Sequence, residues 1–220
     1  MTTQVDLYYT MRSPYCYLAT PVLTQMVQTY DVHFNLKPVY PLAVSDASFF
    51  SRVNPLWPPY LMRDTHRIAA RLGVPFHWPR PDPIVQDSQT REVAAEQPYI
   101  RRLTYLAQLA AEAGRGLEYV TSVSSLLYNP DVDGWDQGDH LSVAVQQAGL
   151  DFAEFTARAD AEAERLEAAV QKNRQDQLAA GHWGAPLFVH NEAQGQEIFF
   201  GQDRLVDLEW HLLGAGMGKR

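Results

Sequence analysis

The chain is expected to be an α/β protein interrupted by one large helical insertion, and three observations point there. Val5-Asp6-Leu7-Tyr8-Tyr9 is an apolar and aromatic run that leads into Ser13-Pro14-Tyr15-Cys16, where a helix opens. About 170 residues later, Gly184-Ala185-Pro186 stands just before a second strand-like run, Leu187-Phe188-Val189-His190. Between these two ends the patterning is mostly helical, so the order reads βαβ, helices, then ββα.

Each element follows from local signals. The first strand covers about 5–10, and the helix after it runs from Pro14 to about Tyr30. Proline suits the first helical position because its missing N–H would be unsatisfied there anyway. Ser13 then falls at the N-cap, where a hydroxyl oxygen can accept from first-turn N–H groups. His33-Phe34-Asn35-Leu36-Lys37-Pro38 alternates apolar and polar and predicts a second strand, parallel to the first. Asn54-Pro55-Leu56-Trp57-Pro58-Pro59 reads as a rigid extended segment before a helix over about 60–72, stopped by Gly73 and Pro75. The prolines of His77-Trp78-Pro79-Arg80-Pro81-Asp82-Pro83 exclude regular structure. Helices are expected at about 98–113, 117–128 and 137–148, the last closed by Gly149. Asp151 with Glu154 three residues on predicts the start of one long helix to about Ala180. Strands at 187–190 and 196–200, joined by a turn at 191–195, and a helix from about Asp203 to Leu213 complete the chain.

Bulk properties exclude several functions. At 220 residues with 46% hydrophobic and 20% charged content, the chain resembles ordinary globular proteins. A net charge of -8 argues against nucleic acid or an anionic membrane as the main partner. No apolar run approaches the ~20 residues of a membrane-spanning helix, and the N-terminus has no signal-peptide pattern. A single cysteine permits no internal disulfide. Together these lead to the expectation of a reducing cytoplasm.

A few residues could carry chemistry. Ser13 is either a simple cap or a donor to a sulfur anion brought by a ligand at the helix N-terminus. Moving a ligand thiol from about 8.5 to near 7 needs about 2 kcal/mol of preference for the anion. One hydroxyl hydrogen bond plus a helix N-terminus can supply that. A serine nucleophile would need a positioned base, and none is apparent from local spacing. Cys16, one turn on, reads as a small core residue. Ala185-Pro186 fits a cis-proline loop whose Ala185 backbone pairs with an extended peptide. Gly201-Gln202-Asp203-Arg204 is either a helix cap or an anion-receptive pocket with a carboxylate. Trp57, Tyr60, Trp78 and Trp183 are candidates to line a substrate pocket, each with a core role as the alternative. Histidines at 33, 66, 77, 140, 182, 190 and 211 show no metal-ligand spacing, only His182 lies near the candidate site, and no metal is expected.

These motifs together resemble the thioredoxin superfamily of DsbA type, and within it the 2-hydroxychromene-2-carboxylate isomerases and kappa-class glutathione transferases. The likeness covers nearly the whole chain. It rests on Ser13-Pro14-Tyr15 with Tyr17-Leu18-Ala19, Asn54 before prolines, Arg63-Asp64, Leu72-Gly73-Val74-Pro75-Phe76, Gly184-Ala185-Pro186 and Phe199-Phe200-Gly201-Gln202-Asp203-Arg204. It implies a thioredoxin-like domain over 1–41 and 182–220, a helical insertion domain over 42–181, a homodimer, and glutathione as cofactor. It places Ser13 against the glutathione sulfur and Asn54 in the active site. It also puts Ala185 and Pro186 on the peptide, and Gln202 and Asp203 at the γ-glutamyl end. The implied activity is glutathione-dependent isomerisation of an aromatic carboxylate. The alternatives are a glutathione transferase, a disulfide oxidoreductase (disfavoured by serine at the first cysteine position) and a non-catalytic thiol- or peptide-binding module. Trp57 stands where the family often has a glutathione-binding lysine.

Overall fold

A computed structural model describes residues 2–46, 48–87, 90, 92–193 and 195–220, without the side chains of Phe50 and Ser51. Strands β1 (Thr3–Tyr9), β2 (Val32–Pro38), β3 (Leu187–Glu192) and β4 (Gly195–Phe200) form one sheet in the order β2-β1-β3-β4. The β1–β2 pair is parallel, as a βαβ unit requires, and the β1–β3 and β3–β4 pairs are antiparallel. Alternation decides the faces. Val5, Leu7, Tyr9 and Phe188 enter the main core, whereas Tyr8, Leu187 and Val189 pack with Val39 and Ala180 on the opposite face.

Helix α1 (Pro14–Thr29) crosses from β1 to β2 and contains Pro21, which cannot donate to the carbonyl one turn back. The Thr20 hydroxyl donates to that Tyr17 carbonyl at 2.8 Å, so the helix continues without an orphaned acceptor. Between β2 and β3 run α2 (Leu42–Ser45), α3 (Phe49–Arg52), α4 (Trp57–Leu72), α5 (Pro98–Glu112), α6 (Gly116–Leu127), α7 (His140–Gln147), α8 (Phe152–Ala161) and α9 (Ala163–Ala179). Their apolar faces, including Leu103, Leu106, Tyr119 and Val123, share one continuous core with β1, β2 and α1. Gly116 lets α6 approach β2, since an added Cβ would lie 2.6 Å from Leu36 Cβ. After β4 a short 3-10 turn at Gln202–Arg204 leads into α10 (Leu205–Gly214), whose Leu205, Leu208 and Leu212 are buried.

Three expectations need correction. The segment from Asn54 to Pro59 is a turn followed by helix, because Pro58 and Pro59 occupy the first turn of α4, where no N–H donor is needed. The long helix expected from Asp151 to Ala180 is two helices, broken at Glu162 with φ of -107°. Glu162 accepts from Arg158 and Arg165, and Arg165 also donates to Glu112 of α5 at 2.8 and 3.0 Å, so the break coincides with a polar cluster that ties the two helices to α5. The hairpin turn is tighter than 191–195, with the strands reaching Glu192 and Gly195; Gln194 of that turn lies outside the described residues. Among the described residues, no helix is long and apolar enough to cross a membrane.

Candidate functional site

Strand register assembles the site at one end of the sheet. Tyr8 of β1 pairs with Leu187 of antiparallel β3, so the chain leaving β1 toward Ser13 meets the chain entering β3 from Gly184-Ala185-Pro186. Leu187 also pairs with Phe200, which brings the end of β4 and Gly201 to the same edge, and Gly201 N–H donates to the Pro186 carbonyl at 2.9 Å. Parallel β2 ends there too, with Tyr9 opposite Pro38. The loops beyond these four strand ends enclose a cavity of about 540 Å³. Ser13, Asn54 and Ala185 all line it, with Trp57 and Trp183.

Ser13 caps α1, its Oγ accepting from Cys16 N–H at 3.3 Å. A hydroxyl that accepts through a lone pair still has its own proton to donate, so the cap and an outward hydrogen bond are compatible. Cys16 itself is fully buried, and burial pushes its thiol up to about 12, beyond what the Thr10 backbone and Ser13 contacts offset. The only thiol of the chain is therefore inert at neutral pH. Tyr15 also lines the cavity, but its hydroxyl donates to Asp64 at 2.9 Å. Burial and the Asp64 carboxylate raise its pKa far above the ordinary tyrosine value, which keeps the ring neutral.

The opposite wall is the loop before β3. The Ala185–Pro186 bond is cis, as expected from its setting. Buried Gln177 of α9 donates to the Gly184 carbonyl at 2.7 Å, and Arg174 to the Trp183 carbonyl at 2.7 Å, so the helical segment holds this loop. Gly184 is sterically required, since an added Cβ would lie 2.3 Å from Phe200 Cε2. His182 stacks on Phe200 at 4.0 Å, and its Nδ1 accepts from Gly184 N–H at 2.9 Å. Burial lowers the His182 pKa, and the accepting Nδ1 matches a neutral ring. Phe49 contacts both Trp57 and Trp183, at 6.3 and 6.4 Å between ring centres, which links the two sides of the cavity mouth.

The remaining sequence candidates divide. Asn54 Oδ1 accepts from Leu56 N–H at 2.9 Å, so its amide oxygen shapes the turn into α4 while the residue lines the cavity. Gln202 is buried and donates to exposed Asp203 beside the cavity, and Asp203 is near enough to act on Tyr15 electrostatically. Neither Gln202, Asp203 nor Pro186 lines the cavity itself. Tyr60 and Trp78 also lie off it: Tyr60 bonds Asp64, and Trp78 packs against Phe76 and the Arg12 guanidinium.

A sequence profile of the DSBA-like thioredoxin domain matches residues 4–213. The chain belongs to this family. No curated protein sequence matches the chain. Among solved structures, this DSBA-like thioredoxin protein is similar to a 2-hydroxychromene-2-carboxylate isomerase, at 21% identity and TM-score 0.66, over 95% of this chain and 94% of that one. It is also similar to the cytosolic disulfide reductase DsbM of Pseudomonas aeruginosa, at 19% identity and TM-score 0.60, over 95% and 98% of the two chains. DsbM has also been solved with GSH.

Two cavity groups of the DSBA-like domain escaped the sequence reading. Thr10 is buried, lines the cavity, and its hydroxyl has no partner among the described residues. Nothing in its sequence setting marks it, because its burial comes from the strand ends meeting around it. Arg12 is the one charged residue among the cavity-lining residues described, and it grips Asp82 through two hydrogen bonds of 3.2 and 2.8 Å. That pairing spans 70 residues and has no local signature.

Proposed function

We propose that this protein is a glutathione-dependent isomerase of the 2-hydroxychromene-2-carboxylate isomerase type, with Ser13 stabilising the glutathione thiolate. The observation that carries the reading is Ser13 Oγ at the N-cap of α1, lining a cavity opposite Ala185, while the chain's only thiol is buried and inert. A thiol acting here must come from a ligand. The residues present fit glutathione: a hydroxyl and a helix N-terminus for the sulfur, the Ala185 backbone for the peptide, and an unpartnered buried Thr10 hydroxyl in the wall. Gln202 and Asp203 at the adjoining edge suit the charged γ-glutamyl end. Trp57 replaces a cation with an aromatic wall, so the glycine carboxylate of the ligand would rely on backbone donors. When bound, glutathione supplies a nucleophilic sulfur that adds reversibly to a conjugated substrate and is returned unchanged. Ser13 would hold that sulfur as the anion, and Trp57, Phe49, Trp183 and Phe200 would pack an aromatic substrate against it.

Calorimetric titration with reduced glutathione tests the reading. Saturable binding, lost with S-methylglutathione and in Ser13→Ala, together with turnover of hydroxychromene carboxylate, is the expected result. Absence of binding would remove glutathione as the thiol. The homodimer implied by the family likeness is part of the same proposal and is checked by analytical ultracentrifugation.

One observation favours a second reading, a glutathione transferase. Arg12 is already neutralised by Asp82, which leaves a mostly apolar cavity better matched to an uncharged electrophile. Product analysis separates the two, because an isomerase returns free glutathione and a transferase releases a conjugate.

A further inference from the structure

His190 and Glu192 lie two residues apart on β3 and therefore point to the same face, and His211 of α10 packs over them. His190 Nδ1 stands 3.1 Å from His211 Nε2 and 3.4 Å from Glu192 Oε1, and His211 Nε2 is 3.1 Å from the same oxygen. Three ligand-type atoms thus form a nearly equilateral triangle.

Hydrogen bonds alone do not satisfy that triangle. If both facing nitrogens carry protons, each can donate to the carboxylate, but two N–H donors then oppose one another across 3.1 Å. If only one does, the other nitrogen turns a lone pair toward the carboxylate oxygen. If neither does, all three edges are acceptor against acceptor. A cation at the centre resolves every edge at once. The dimensions are close, since tetrahedral zinc with bonds of about 2.0–2.2 Å spaces its ligand atoms roughly 3.3–3.6 Å apart, against edges of 3.1, 3.1 and 3.4 Å here. An ion about 2.1 Å from all three atoms would sit roughly 1 Å out of their plane, on the side left for a fourth ligand.

We propose that His190, Glu192 and His211 form a binding site for a divalent transition-metal ion of the zinc type, with a water in the fourth position. Two imidazoles and one carboxylate favour such an ion over magnesium or calcium, which prefer all-oxygen shells. The histidine side chains are 11% and 19% exposed and Glu192 39%, so the site is anchored by buried rings and open on the carboxylate side. It would clip the end of β3 to the C-terminal helix, whose buried Leu205, Leu208 and Leu212 share the main core with Phe188. The inference is independent of the glutathione reading. Sequence spacing concealed it, because two ligands alternate on a strand and the third lies on a helix, 21 residues after His190.

The test is a titration of chelator-stripped full-length protein with Zn²⁺, read by calorimetry and thermal unfolding, with Co²⁺ as the spectroscopic probe and Mg²⁺ as control. The expected result is one Zn²⁺ per chain, a melting temperature raised by Zn²⁺ and restored by chelator, and the visible spectrum of four-coordinate Co²⁺. Affinity should fall at least about tenfold in His211→Gln and in Glu192→Gln, because even outer-shell changes at metal sites cost about 10–100-fold. His66→Gln, at an exposed histidine elsewhere, should change nothing. Absence of Zn²⁺ binding, or affinity unchanged in both ligand variants, overturns the proposal. Glu192 is exposed at a strand end, so its variant carries the test even if His211→Gln fails to fold.

Discussion

Removing the Ser13 hydroxyl separates its capping role from its proposed role on a ligand sulfur. Cys16 N–H lies 3.3 Å from Ser13 Oγ but also 3.1 Å from the Ser13 carbonyl oxygen. Losing the hydroxyl leaves this donor with a partner, so Ser13→Ala should cost near the low end of the capping range, about 0.5–1 kcal/mol. Ser13→Gly should cost only a few tenths, since glycine is a tolerated N-cap, so roughly 0.3 kcal/mol. The thiolate effect is larger. A hydrogen bond to a charged group contributes about 1.5–3 kcal/mol, and about 1.4 kcal/mol equals one pKa unit, so the bound thiol should rise by about 1–2 units. From a bound pKa near 7, that means roughly 5- to 50-fold less thiolate at neutral pH and a matching loss of turnover. Urea unfolding measures the first effect, and the pH titration of thiolate ultraviolet absorbance in the glutathione complex measures the second. If both variants stay folded and the bound thiol titrates as in the parent protein, Ser13 is a cap and nothing more.

Other consequences are equally direct. Gly184→Ala should lose about 1–3 kcal/mol in urea unfolding, because its Cβ would strike the Phe200 ring; an unchanged midpoint would mean the loop is not seated as described. Cys16 should resist a disulfide-exchange reagent in the native state at pH 8, four units below its raised pKa of about 12, and react fully once unfolded. Rapid native labelling would contradict its burial. Tyr9→Phe should cost about 1–3 kcal/mol, since it leaves buried Ser124 Oγ without its 2.7 Å partner, and thermal unfolding reads this. Trp57→Lys should tighten glutathione by up to about fivefold in a salt-sensitive way, as expected for a half-exposed ion pair of up to about 1 kcal/mol. No change in calorimetry would place the glycine carboxylate elsewhere.

The two ends of the fold were legible because backbone chemistry marks them. Proline at 14, glycine at 184 and the cis bond at 185–186 each demand a backbone that few other elements accept. Pro58 and Pro59 carry no such unique demand, since proline suits the first turn of a helix as readily as extended chain. Glu162 was unreadable for another reason. Its neighbours keep helical spacing, and the pairing found at the break, Arg165 to Glu112 on a different helix, has no local sequence signature.

The site itself shows where the boundary lies. Ser13 and Ala185 were paired from motifs, but what makes the pairing physical is the register of Tyr8 against Leu187. A slip of one residue in that register would turn Phe188 out of the core and His190 away from α10. The same pairing therefore fixes both the cavity and the His190–Glu192–His211 triangle. Residues that act through the backbone, such as Gly184, leave a local trace in sequence. Residues that act because other strand ends close around them, such as Thr10, leave none. A Thr10→Val variant isolates that second kind: it keeps shape and removes the unpartnered hydroxyl. If Thr10 is simply a buried orphan, the protein should be stabilised by relief of about 1–3 kcal/mol of desolvation, with ligand binding unchanged. If instead its hydroxyl meets a ligand in the cavity wall, the same gain in stability should come with weaker glutathione binding. The paired measurement of unfolding and titration distinguishes the two, and a variant that loses stability would show that the hydroxyl is already satisfied.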